Sequence, residues 1–287
     1  MNKLKGSLWA SFIAVSLVYV IATFVGVFVY RALTLDWWLS LLIADAVATV
    51  VTFIFSLIFK NASVYDPYWS VQPPVILTAF AIGESLTALG VLLLFAVFFW
   101  AIRLTANWAY TFKGLCHQDW RYTMLCEKTG AFYSLVNFVG IHMVPTLVVY
   151  GCVLPAVYAI REGCDANVGS VILLCVSIFA VVMQGIADVQ MHKFRKKRDT
   201  AFNRRGLWKY SRHPNYLGEI LMWWGVGLSV VCAEPCAWYL LVGAASNTLL
   251  FLGESEQFEP APSALNFQRF QHLSLLQSPH LASSAKH

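Results

Sequence analysis

Long apolar runs broken by short polar stretches dominate the chain. A helix needs about 20 apolar residues to cross the hydrocarbon core of a bilayer. The runs at 7–30, 37–59, 86–110 and 131–160 reach that length, and a fifth covers 168–190. Two shorter runs follow at 215–232 and 236–252, separated around "AEPCA". The segment 71–82, "VQPPVILTAFAI", is shorter and carries a Pro pair near its start, which predicts a broken or half-length helix joined to the preceding "SVYDPYW". No alternation of strand and helix patterns occurs, so a soluble dinucleotide-binding domain is excluded. The expected fold is all-α: an integral membrane helical bundle with about 7–8 transmembrane helices over residues 1–252. The remainder, 253–287, is rich in Ser, Gln, Pro and Ala and reads as a largely disordered tail.

Composition strengthens the membrane reading. Of 287 residues, 59% are hydrophobic and 12% charged, against roughly 25% charged in soluble domains. The net charge of +5 does not indicate nucleic-acid binding, because the basic residues sit in short loops between apolar runs. The loops richest in Lys and Arg are the N-terminus, 103–128 and 193–212; those at 31–36, 83–85, 161–167 and 233–235 are poorer. Eight crossings, counting 71–82, put every basic loop on one face and the N-terminus in the cytoplasm. The first apolar run, behind Lys3 and Lys5, exceeds a signal-peptide core of roughly 7–15 residues and predicts an uncleaved first helix. The seven cysteines form no CxxC pair, so a disulfide framework or zinc site is not expected.

Against this apolar background, ionisable groups near helix ends stand out, because each is costly inside a membrane. Arg103 and Asn107 share one helical face in "FFWAIRLTANWAY". Gln184, Asp188, His192 and Arg195 form a stripe at spacings of four and three. Asn215 and Glu219 repeat the spacing of four, just after Pro214, which suits a helix's first turn. The free N–H groups of that helix start, with Arg204, Arg205, Lys209 and Arg212 nearby, suit a phosphate or carboxylate. Asp188 and Glu219 suit hydrogen-bond donors such as a ribose hydroxyl or a carboxamide. The mixture points to a nucleotide-like cofactor. Taken singly, the basic residues also fit a solvated loop, Asp188 an ion pair with Arg195, and His213 a helix cap. Three helices each carrying a polar pair at similar depth favour binding.

An earlier stretch, "YDPYWS", places Asp66 before Pro67, where it reads either as a helix N-cap or as an acid for the polar end of a lipid substrate. A carboxyl in an apolar pocket stays protonated and can polarise a carbonyl. In "HQDWRY", Asp119 and Arg121 are expected to form a loop-ordering ion pair beside an interfacial Trp120.

These segments resemble a known family. "GLWKYSRHPNYLGEI" is similar to the C-terminal signature of the steroid 5α-reductase-like membrane proteins, and "DPYWS", "RLTANW", "DWRY" and "RHPNYLGE" appear in the order of one of its branches, covering about 60–252. The resemblance implies a membrane reductase that binds NADPH from the cytoplasmic side and reduces a carbon–carbon double bond conjugated to a carbonyl in a lipid or sterol-like substrate. By the same resemblance Asp66 is the catalytic acid. The resemblance places Arg103, Gln184, Asp188, Arg195, Tyr210, Asn215 and Glu219 in the cofactor pocket; Asn107, Arg212, His213 and Tyr216 are also read as cofactor-binding, and no metal is expected. The steroid reductases carry a catalytic Tyr just before their Arg; Trp100 stands there instead, and Trp donates a hydrogen bond but is no general acid. "LGESEQFEPAPS" also replaces the family's closing Arg-, His- and Tyr-bearing segments. Two alternatives stay open. Arg212, His213 and Tyr216 fit the Arg-His-Pro-x-Tyr of isoprenylcysteine carboxyl methyltransferases, which use S-adenosylmethionine, and the departures fit a catalytically inactive paralogue. The implied location is the endoplasmic reticulum in a eukaryote or the inner membrane in a bacterium.

Overall fold

A computed structural model describes residues 6–197 and 202–257. The chain divides into two units, Met1–Thr248 and Leu249–His287. Among the described residues every regular element is helical: α1 (Leu8–Ala32), α2 (Trp37–Phe59), α3 (Tyr68–Ala81), α4 (Ala88–Thr111), α5 (Trp120–Thr129), α6 (Val144–Arg161), α7 (Val168–Lys197), α8 (Pro214–Ala233) and α9 (Val242–Gln257), with short turns between them. Among the described residues, seven stretches are long and apolar enough to span a membrane. Their outward faces carry residues such as Phe24, Phe28, Phe95 and Phe179, all more than half exposed, which in a bilayer face lipid rather than water.

Several boundaries differ from those read off the apolar runs. The segment 103–128 is not one loop: α4 continues to Thr111, and α5 forms from Trp120. Asp119 starts α5 by accepting from the Arg121 amide at 2.9 Å, and its carboxylate holds the Arg121 side chain in the expected ion pair at 2.9 Å. Between α5 and α6 the chain stays helical but winds into a π-helix at Asn137–Met143. The last run opens as a 3₁₀ helix, Pro235–Leu241. The helix after it reaches Gln257, into the stretch read as a tail; residues 258–287 lie outside the described residues.

Two sets of hydrogen bonds define the two ends of the first unit. At one end, Asn61 Nδ2 donates to the Leu115 and His117 carbonyls (both 2.9 Å), and the Leu115 amide donates to Ser11 Oγ at 3.1 Å. At the other, Thr87 Oγ1 donates to the Cys164 carbonyl at 2.7 Å and Asn167 Nδ2 to the Cys232 carbonyl at 2.6 Å. Helix α3 runs from the first end, where Asp66 meets Tyr122, to the second, where the Arg161 guanidinium lies 5.8 Å from the Phe80 ring centre. Its 14 residues give a length of about 21 Å.

Helix α8 packs tightly along α7, and glycines make this possible. A Cβ on Gly225 would lie 2.1 Å from Ser177 Oγ and 2.8 Å from the Leu173 carbonyl. Small residues let helix backbones approach where no hydrophobic force drives them together. The same close approach brings the polar face of α8 onto that of α7.

Candidate functional site

The polar stripes anticipated from spacing converge where α4, α7 and α8 meet. Arg103 of α4 is the hub. Its Nη1 donates to Asp188 Oδ2 at 2.8 Å, its Nη2 donates to Gln184 Oε1, and Nη2 lies 3.6 Å from Glu219 Oε2. Glu219 is almost wholly buried; both its oxygens accept from Trp100 Nε1 (2.8 and 2.9 Å), and Oε1 accepts from Trp223 Nε1 at 3.0 Å. A carboxylate can be buried only if its lone pairs are met, and two indoles and a guanidinium do that here. One guanidinium faces two carboxyl groups. Polar capacity also remains unused: Arg103 Nε, Gln184 Nε2 and Asn215 Oδ1 are buried with no hydrogen-bond partner.

One turn farther along α4 and α7, Asn107 Oδ1 and His192 Nε2 are 2.8 Å apart. Asp188 therefore pairs across helices with Arg103, not with Arg195 on its own helix. Arg195 is exposed and makes no hydrogen bond among the described residues. The connection into α8 is pinned to α7 by Trp208 Nε1 donating to the Ala187 carbonyl (3.0 Å) and the Leu207 amide donating to Gln190 Oε1 (2.9 Å).

At the start of α8, His213 stacks on Tyr216 with ring centres 5.0 Å apart. His213 occupies the N-cap position, but its side chain makes no capping bond. Partial burial and the neighbouring Arg212 push its imidazole below the usual range, so it is neutral at pH 7. Arg212 is exposed, and Tyr210, at 84% exposed, lies beneath the Lys209 ammonium at 5.8 Å. Of the expected cofactor residues, then, Arg103, Gln184, Asp188 and Glu219 form one buried network. Asn107 and Asn215 flank it, His213 and Tyr216 bracket the α8 start, and Arg195, Tyr210 and Arg212 lie at the exposed rim.

Asp66 is not a helix cap. Helix α3 starts at Tyr68, the cap position falls to Pro67, and no side chain caps it. The Asp66 carboxylate instead accepts from the Tyr122 hydroxyl at 2.6 Å. Burial pushes its carboxyl up to about 7, against the opposing pull of the Tyr122 hydrogen bond and Arg121. It makes no hydrogen bond to the Arg103 network; the link between them is α3's first turn, where Trp69 meets Trp100 at 6.0 Å and Ser70 Oγ meets Thr105 Oγ1 at 2.9 Å.

This raised value has a consequence for stability. The folded chain holds the Asp66 proton more tightly than the unfolded chain, so the contribution is fully present below pH about 4 and is lost as pH rises towards about 7. The thermal midpoint of the native chain in detergent should therefore fall more steeply over that interval than that of Asp66→Asn. Parallel profiles for the two proteins would show that Asp66 titrates normally.

Residues that spacing did not single out also belong to the polar interior. Trp223 lies four residues after Glu219, a spacing that could have flagged it. Tyr122 stood beside the recognised Asp119 and Arg121. Asp45 and Gln72 form a hydrogen-bonded pair between α2 and α3; Asp45 is a lone acid in the middle of an apolar run, which the cost of buried charge alone could have marked.

A family described as "Protein of unknown function (DUF1295)" matches residues 52–259. A relative from Schizosaccharomyces pombe, itself described as an uncharacterized protein, is 26% identical over 67% of this chain and 60% of its own length. The chain thus spans about three-fifths of the curated relative it matches. No solved structure matches.

Proposed function

The chain belongs to the DUF1295 family, and from that premise we propose that it is a membrane reductase that binds NADPH at the Arg103 network and reduces a carbon–carbon double bond conjugated to a carbonyl in a lipid. The observation that carries this reading is the buried Arg103–Asp188–Glu219 network, with unpartnered donors and an acceptor at the N-terminal end of α8. The donor set fits a nucleotide. The N–H end of α8 with Arg204, Arg205 and Arg212 would hold phosphates, and Asp188 and Glu219 would accept from ribose hydroxyl or carboxamide groups. The end of the bundle carrying these basic residues would face the cytoplasm. The likeness of "GLWKYSRHPNYLGEI" to the steroid 5α-reductase segment supports the same assignment.

When bound, NADPH supplies a hydride to the β-carbon of the conjugated system. Asp66, whose carboxyl burial pushes up to about 7, would in its protonated form pass that proton to the substrate carbonyl oxygen as the β-carbon takes the hydride, and the resulting enol would return to the saturated ketone. Trp100 would not replace that acid; its N–H holds Glu219 in place. The buried indoles would also exclude water from the reacting carbon.

The test is ligand-induced stabilisation of the purified chain in detergent. NADPH at about 100 times its Kd should stabilise the fold by about 2.7 kcal/mol, read as a rise in Tm, and Asp188→Asn should weaken the response. No rise at millimolar NADPH would overturn the reading. A rise with S-adenosylmethionine alone would transfer the site to methyl transfer.

A further inference from the structure

On the opposite side of α3 from the Arg103 network, a cavity of about 380 Å³ lies between α3 and the α1–α2 pair. Its size falls within the range of small-molecule sites, about 300–1,000 Å³. The inner end is closed by Tyr19 and Tyr68, both buried, whose rings meet edge-on with centres 5.4 Å apart. Small residues, Gly26 on α1 with Ala44 and Ala48 on α2, leave the space between. The polar wall residues there, Asp45 and Gln72, are buried and hydrogen-bonded to each other. The other end is open, because its lining residues Arg31, Glu84 and Arg161 are exposed. Tyr19 and Arg31 lie twelve residues apart on α1, which puts about 18 Å between the closed end and the mouth.

The charge of the mouth runs against that of its surroundings. At this end of the bundle, marked by the Thr87–Cys164 and Asn167–Cys232 bonds, the connections carry Asp36, Glu84, Glu162, Asp165 and Glu234. Among the described residues the basic groups there are Arg31 and Arg161, in the last turns of α1 and α6, and both line this one cavity. Neither forms an ion pair among the described residues, although five carboxylates share that end. Arg161 lies instead over aromatic rings, 5.3 Å from the Trp37 centre and 5.8 Å from the Phe80 centre. Phe80 in turn packs against Tyr30 and Trp37 at 5.6 and 6.2 Å. Such a contact holds the flat face of a guanidinium and leaves its N–H edge free to donate. Two guanidiniums against one carboxylate give the mouth a net positive charge.

We propose that this cavity binds a single-chain lipid with an oxyanion head group, a carboxylate or a phosphate, its hydrocarbon in the closed part and its head between Arg31 and Arg161. A guanidinium offers a planar fork of donors that matches either oxyanion. One negative charge brings the mouth to neutrality; a neutral alcohol or a zwitterion leaves its positive charge in place. The same charges set the orientation, since at the inner end the head would meet the Asp45 carboxyl instead of a guanidinium. The site does not depend on the reductase reading, since α3 lies between it and the Arg103 network.

Photo-crosslinking of the purified full chain in phosphatidylcholine nanodiscs tests this. The probe is a sixteen-carbon fatty acid with a diazirine near its terminal methyl, and it should label peptides around Tyr19 and Tyr68 saturably. Hexadecanoate or hexadecyl phosphate should compete about tenfold more tightly than hexadecanol or hexadecylphosphocholine; the better of the two anions identifies the head group. Arg31→Gln and Arg161→Gln should each weaken labelling about tenfold, the worth of one charge-assisted hydrogen bond. Glu84→Gln should strengthen it, because a like charge leaves the mouth, and a merely structural role would not produce that gain. All three positions are exposed, so the thermal midpoints should stay native. Competition by hexadecanol or hexadecylphosphocholine as strong as by the anions, or labelling that both arginine substitutions leave unchanged, would overturn the proposal.

Discussion

Replacing Arg103 with Met should destabilise the fold by about 3–5 kcal/mol, the usual cost of stripping one partner from a buried ion pair. The side chains of Asp188 and Glu219 are only 14% and 5% exposed, so neither can turn to water when the guanidinium is gone. Glu219 would keep its two indole donors but lose the Arg103 guanidinium that faces it. Neutralising the survivors, with Asp188→Asn and Glu219→Gln in the Arg103→Met background, should recover much of the loss, because a neutral buried amide costs far less than a buried charge. Denaturant or thermal unfolding in detergent measures all three proteins. An unchanged midpoint for Arg103→Met would mean that water reaches the carboxylates and the network is not a buried one.

Gly218→Ala should also be damaging, and it acts directly on the network. Its Cβ would stand 2.4 Å from Gln184 Cγ and 2.9 Å from the Ala180 carbonyl oxygen. The side chain could move, but the carbonyl belongs to the α7 backbone, so the two helices must separate. Overpacking of this kind costs about 1–3 kcal/mol. Because Gln184 is the residue pushed, the response to NADPH should weaken as well. Gly185→Ala is the control: its Cβ would meet Arg103 Cγ at an ordinary 3.7 Å, and a helical Gly→Ala change is worth roughly 0.5–1 kcal/mol in stability. Equal midpoints for Gly218→Ala and Gly185→Ala would show that α7 and α8 have slack between them.

The Arg103 network and the Asp45–Gln72 pair differ in how visible they are in the sequence. Gln184, Asp188 and His192 share a face by spacing alone, and so do Arg103 and Asn107 on their own helix. That these two faces meet is a matter of how α4 and α7 rotate about their axes and at what depth they lie. The same limit explains why Asp188 looked as if only Arg195 were within reach. Asp66 beside Pro67 looked like a cap because capping is a local pattern; its partner is Tyr122, which sits 56 residues away. The Asp45–Gln72 pair joins two helices 27 residues apart, and neither residue belongs to a motif.

By itself the sequence determined what acts locally along the chain. Run length set the long apolar helices, Pro214 set the start of α8, and Asp119 and Arg121, two residues apart, set their own ion pair. Only the tertiary structure decided partners and space: which guanidinium neutralises which carboxylate, and that α3 divides a polar network from an apolar cavity. The physical reason is range. A hydrogen bond across helices depends on rotation, depth and the close approach that Gly218 and Gly225 allow, and those are properties of the packed bundle, not of any one segment.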